Sequence, residues 1–291
     1  MSARTLLAWP LVGLMVLAAA VALAPSARAA APGPSPYAGG SPAAPGAYDF
    51  VAGIRLLGAP GGEFFCTGSL VDPQWVLTAA HCLDGGRVAS ELQVVVGDTD
   101  IDDGADPARV HRADRIEIHP KWGGDDGDAN DVAMLHLTTT DPAQVVYFGV
   151  PRYLRTALDR CRAMMLMSRT MWNPFACPIK VGTALGWGRT PKTGDHTSHR
   201  LIQSSATIYN QGIKKTFWAT KTGGCPGDSG GPLLVPASDG HLIQIGVASH
   251  ITHGGGWFDW LFGGQCSRRG TDYYSDVSSG PLLTWFERFL P

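Results

Sequence analysis

Three short segments of the chain carry side chains suited to act together as nucleophile, base and orienting acid. The first is Gly227-Asp228-Ser229-Gly230-Gly231-Pro232, just after Cys225. A serine hydroxyl attacks a carbonyl only when its Oγ is exposed, a base stands beside it and N–H groups meet the developing oxyanion; glycine neighbours let the carbonyl come that close. The plainer account of the same residues is a Gly-rich turn that contains a serine. The second segment, Thr78-Ala79-Ala80-His81-Cys82, sets a histidine at the end of an apolar run beside a cysteine able to pin it. Taken alone, His81 is one of nine histidines. The third, Asn130-Asp131-Val132-Ala133-Met134-Leu135, opens a strongly apolar run with an acid. A carboxylate drawn inside there needs a partner such as a histidine Nδ1–H. Otherwise Asp131 is one more solvated acid beside Asp125, Asp126 and Asp128.

Strands have to hold these segments in place. Short β-branched or apolar runs alternate with Gly, Pro and Asp clusters: 64–70, 75–78, 92–96, 116–119 and 132–137, then 181–185, 201–208, 232–235, 242–249 and 273–277. This spacing, without helical periodicity between runs, predicts an all-β barrel or sandwich. Only the end reads as helix: Pro281 suits a first turn, and Leu282, Trp285, Phe286, Phe289 and Leu290 share one face. Residues 150–180 are irregular and hold Met164, Met165, Met167 and Met171, read as a connection with an insertion whose methionines fill gaps.

Bulk composition narrows the setting. With 291 residues and 44% hydrophobic content the chain can bury sizeable cores, and a net charge of −2 with 16% charged residues offers no basic face for nucleic acid. Arg4, the uncharged run from Thr5 to Pro25 and the small residues Ala27 and Ala29 read as a secretory signal ending at 29. Residues 30–49, rich in Ala, Pro, Gly and Ser, read as a propeptide or flexible leader. The folded part is then 50–291. All six cysteines (Cys66, Cys82, Cys161, Cys177, Cys225 and Cys266) fall in the exported part, and none forms a CxxC pair, so three disulfides are expected rather than zinc. Composition alone leaves their 15 connectivities open.

In order along the chain, Trp75 through Cys82, the Asp131 segment, Leu185-Gly186-Trp187-Gly188, Cys225 through Pro232, and Tyr274 through Val277 resemble the trypsin/chymotrypsin-like serine proteases. The resemblance runs from about Tyr37 to the C-terminus and implies two antiparallel six-stranded β-barrels with a C-terminal helix. One barrel would span about 50–149, the connection 150–180, and the second barrel and helix 181–291. It implies His81, Asp131 and Ser229 as the triad, the N–H groups of Gly227 and Ser229 as the oxyanion hole, and Asp228 as the acid that pairs with a new N-terminus. It also implies disulfides Cys66 to Cys82 and Cys225 to Cys266, leaving Cys161 to Cys177. A secreted monomeric endopeptidase acting on polypeptides without a cofactor or metal, and with no nucleic-acid or membrane partner once the signal is removed, is the expectation that follows.

At two places the pattern departs from the family. Where a freed aliphatic N-terminus is usual, this chain has Tyr37-Ala38-Gly39-Gly40 after Pro36. In the specificity pocket the floor position is Gly223, so the usual acid is missing there, while Asp272 falls on the opposite wall and is expected to draw in Arg or Lys. The facing wall reads Ser249-His250-Ile251, with Ile251 where glycine is usual, which narrows the entrance. Asp98, Asp100, Asp102 and Asp103 form an acidic loop without EF-hand spacing, read as solvated rather than as a calcium site.

Overall fold

The computed structural model describes residues 40–58, 64–101, 104–124, 128–149, 156, 178–189, 196–210, 217–252 and 270–290, all within one compact unit of residues 32–291. The chain enters as a short strand β1 (Ser41–Pro42) and then builds a closed barrel. Its strands are β2 (Val51–Leu56), β3 (Cys66–Asp72), β4 (Trp75–Thr78), β5 (Leu92–Val96), β6 (Val110–Ile118) and β7 (Ala133–Leu137), joined in the order β2-β3-β4-β7-β6-β5. Every neighbouring pair is antiparallel. Closure leaves no strand edge open to pairing with another chain.

After β8 (Tyr147–Phe148) come β9 (Pro178–Gly186), β10 (Ile202–Asn210), β11 (Phe217–Thr220), β12 (Pro232–Pro236), β13 (Leu242–Thr252) and β14 (Thr271–Asp276). They run β10-β11-β14-β13-β12-β9, and β9 pairs back onto β10, so a second six-stranded barrel closes. The two barrels expected from the family resemblance are present. β1 lies on β10 and β8 runs parallel to β13, so the segments before and after the first barrel are both tied to the second.

Apolar side chains explain both closures. Leu70, Leu77, Leu92, Met134 and Leu135 are fully buried in the first barrel, and Ala184, Ile208, Leu233, Ile245 and Tyr274 in the second. Two helices complete the described chain: α1 (Ala80–Leu83), a single turn, and α2 (Gly280–Phe286), followed by a 3-10 turn over Glu287–Phe289. The apolar face expected of the C-terminal helix buries Leu282, Trp285 and Phe286. It packs across onto the first barrel, with Trp285 5.0 Å from His119 and Phe289 5.0 Å from Trp75 between ring centres. Burying a ring such as Phe286 contributes roughly 2–3 kcal/mol. No helix among the described residues is long and apolar enough to cross a membrane.

Candidate active site

β4 ends at Thr78, buried Ala79 follows, and the chain turns at once into α1 at Ala80, which carries His81 out to partial exposure at 31% of its side-chain surface. Asp131 sits just before β7 and is 2% exposed. β4 and β7 are hydrogen-bonded neighbours, with Thr78 opposite Ala133, so the histidine and the acid leave adjacent strands at the same end. The Asp131 carboxylate takes the His81 backbone N–H at 2.9 Å on Oδ1 and lies 2.7 Å from His81 Nδ1 on Oδ2. A third donor, Ser249 Oγ of β13, reaches the same Oδ2 at 2.7 Å. Three donors make the burial of this carboxylate tolerable and hold Nδ1 as the proton-bearing ring nitrogen.

Ser229 belongs to the turn before β12, and that turn is fastened to the first barrel. Thr67 of β3 donates its N–H to the Ser229 carbonyl at 2.8 Å and its Oγ1 to the Gly227 carbonyl at 2.8 Å. The Ser229 carbonyl also lies 3.8 Å from Cys82 Sγ, one residue beyond His81, and Cys82 is disulfide-bonded to Cys66 beside Thr67. The nucleophile turn and the His81 turn therefore meet at one corner. Gly227 and Gly230 have φ of +101° and +81°, a left-handed backbone that only glycine adopts cheaply. Neither the Gly227 nor the Ser229 N–H has a backbone acceptor among the described residues.

Below this turn, Asp228 is buried and accepts N–H bonds from Gly188 at 2.8 Å and Cys225 at 2.9 Å. Side chains at Gly186 or Gly188 would collide with its carboxylate, which accounts for both glycines of Gly186-Trp187-Gly188. Burial pushes this carboxyl up to about 7, Asp272 adds to the rise, and the two N–H bonds oppose it. Trp187 Nε1 and Thr197 Oγ1 are also buried and have no partner among the described residues.

A pocket opens beside Ser229, lined by Gly224, Cys225, Asp228, Ser249, His250, Ile251 and Asp272 among others. Gly223 is placed next to it, with φ of +76° and its N–H bonded to Asp272. His250 lies on the wall segment expected there, and its ring stacks on Tyr273 at 4.5 Å and 9°. Thr67 was missed, because nothing in its local sequence signals a bond to a residue 160 positions away.

The Cys66–Cys82 disulfide is present and Cys225 is disulfide-bonded; Cys161, Cys177 and Cys266 lie outside the described residues. A cluster with metal-binding geometry, Cys66, His81 and Cys82, has both sulfurs taken by that disulfide. In the acidic loop Asp98 accepts the Asp106 N–H and Asp100 pairs with Arg200 at 2.9 Å, while Asp102 and Asp103 lie outside the described residues.

A double β-barrel with this corner defines a serine endopeptidase, a hydrolase of peptide bonds. The family model described as Trypsin matches residues 37–279, and the chain belongs to that family. Among similar proteins, it is 27% identical to coagulation factor XII of Cavia porcellus over 86% of this chain, but spans only 40% of that protein's length. It is 29% identical to chymotrypsin-like elastase family member 1 of Macaca fascicularis, over 69% of this chain and 74% of that protein. It is also 29% identical to serine protease SP24D of Anopheles gambiae, over 86% of this chain and 79% of that protein.

Proposed function

We propose that the chain is an exported endopeptidase that cleaves polypeptides through Ser229, His81 and Asp131 by way of an acyl-enzyme. The observation that carries this reading is the three-donor clasp on buried Asp131, which orients His81 next to the turn bearing Ser229. In this reading Ser229 Oγ attacks the scissile carbonyl while His81 Nε2 takes its proton. The bond to Asp131 keeps Nδ1 protonated and stabilises the imidazolium that forms. Charge on the carbonyl oxygen meets the N–H groups of Gly227 and Ser229, each worth roughly 3 kcal/mol of barrier. His81 then hands its proton to the departing amine, and water repeats the sequence to release the acid.

Export rests on the signal-like first 29 residues, and activation on release of a new N-terminus near Tyr37. β1 lies on β10 with Ser41 opposite Gln203, four residues beyond Tyr37. Asp228, buried with a raised pKa and held by only two N–H donors among the described residues, has the character of a carboxylate awaiting a cation. The expected preference for Arg or Lys draws support from the presence of Asp272 in the pocket lining. Its hydrogen bonds to residues 222–224 and its neighbour Ile251 weigh against it.

The test is covalent labelling with a fluorophosphonate, followed by mapping of the modified residue in chain recovered from the medium. Labelling at Ser229, with a fall of roughly 10⁴-fold or more in hydrolysis of an unfolded polypeptide in Ser229→Ala, is the expected outcome. Absence of labelling in material cleaved at Tyr37 would replace the enzyme with a binding protein on the same scaffold.

A further inference from the structure

We propose, on the basis of the catalytic reading above, that the pocket beside Ser229 accepts only small uncharged side chains at the cleaved residue, about the size of alanine, because Ile251 closes it over Asp272. Ile251 and Asp272 face each other across the β13–β14 pair, so their side chains leave the sheet on one face, into the pocket that both line. The opposing wall is the backbone at Gly224. A carbon added there would stand 3.3 Å from Ile251 Cδ1 and 3.1 Å from Asp272 Oδ1. Even a carbon bonded to Gly224 would be crowded there, so the walls all but meet at this depth. A long side chain, which needs about 3.5–4 Å to the atoms on each side, cannot pass between them, whereas a methyl group can stop short of the constriction.

Asp272 is also engaged. Its Oδ2 accepts from Thr222 N at 2.7 Å, Thr222 Oγ1 at 2.6 Å and Gly223 N at 2.9 Å, and its Oδ1 accepts from Gly224 N at 3.0 Å. Each carboxylate oxygen has about two acceptor positions, so Oδ2 is fully occupied and Oδ1 keeps one. A guanidinium seeking a two-pronged contact would have to displace buried donors of residues 222–224 and leave them unpaired. The acid at this position therefore braces the pocket wall, and Ile251 sets the size limit.

The experiment compares peptide substrates that differ only at the cleaved residue: Ala, Val, Phe and Arg. The secreted, processed protein should turn over the Ala substrate at least about tenfold faster in kcat/KM than the Arg or Phe substrates, the discrimination a steric pocket of this kind supplies. Ile251→Gly should raise the Arg and Phe rates at least about tenfold relative to the Ala rate. Should Ile251→Gly fail to fold, Ile251→Ala and Ile251→Val grade the same opening. A wild-type preference for Arg or Phe over Ala overturns the size limit while leaving proteolysis intact; no turnover of any substrate together with no labelling overturns both.

Discussion

Asp131 depends on three donors from two barrels, and Ser249 is the one most easily removed without touching the proposed triad. In Ser249→Ala the carboxylate keeps both bonds from His81 but loses a 2.7 Å hydroxyl donor. A hydrogen bond to a charged group is worth roughly 1.5–3 kcal/mol, so kcat/KM should fall about ten- to a hundredfold. Ser249→Thr, which restores the hydroxyl, should recover most of that loss. Steady-state kinetics on a small-residue substrate, with circular dichroism to confirm folding, reads the effect. His81, Asp131 and Ser229 stand out as candidates in the sequence because each sits in a short segment whose neighbours make sense only if that side chain is held. The bond from Ser249 spans 118 positions and leaves no such local trace.

At the level of elements, strands with uninterrupted β-branched runs were easy to read: β4 and β5 occupy 75–78 and 92–96 as expected. β2 was not, because Val51–Leu56 has no polar alternation and is interrupted by Gly53, a residue that gives way to the Phe64 ring lying against it. The first half of β6 was hidden by His111, Arg112, Asp114 and Arg115, charged or polar side chains on a strand with an irregular register near Ala113. α1 was unforeseen, being too short for periodicity to register. The Cys66–Cys82 bond fastens this turn to β3 and closes a sequence separation of 16. Loss of that bond in Cys66→Ala/Cys82→Ala should reduce stability by about 3 kcal/mol, measured by urea unfolding. It should also slow Ser229 labelling, since His81 would lose its anchor.

For the molecule as a whole, the buried acid at 228 couples folding to pH. Its pKa rises from the ordinary 3.8 to about 7, so the folded chain retains a proton that the unfolded chain releases. The resulting stability is full below pH 4 and is lost as pH climbs towards 7, on the order of 4 kcal/mol in all. Urea unfolding of chain not cleaved at Tyr37 should therefore show stability declining over that interval, and Asp228→Asn should flatten the decline. In cleaved chain a new ammonium at the carboxylate should flatten it too. An undiminished slope in Asp228→Asn would assign the dependence to other groups.

The corner where Thr67 grips the carbonyls of Gly227 and Ser229 joins a strand of one barrel to the turn of the other. In the proposed mechanism hydrolytic power accordingly belongs to neither half by itself: a nascent chain that has closed only its first barrel would hold a base with nothing to activate, and cleavage would wait until both halves have come together.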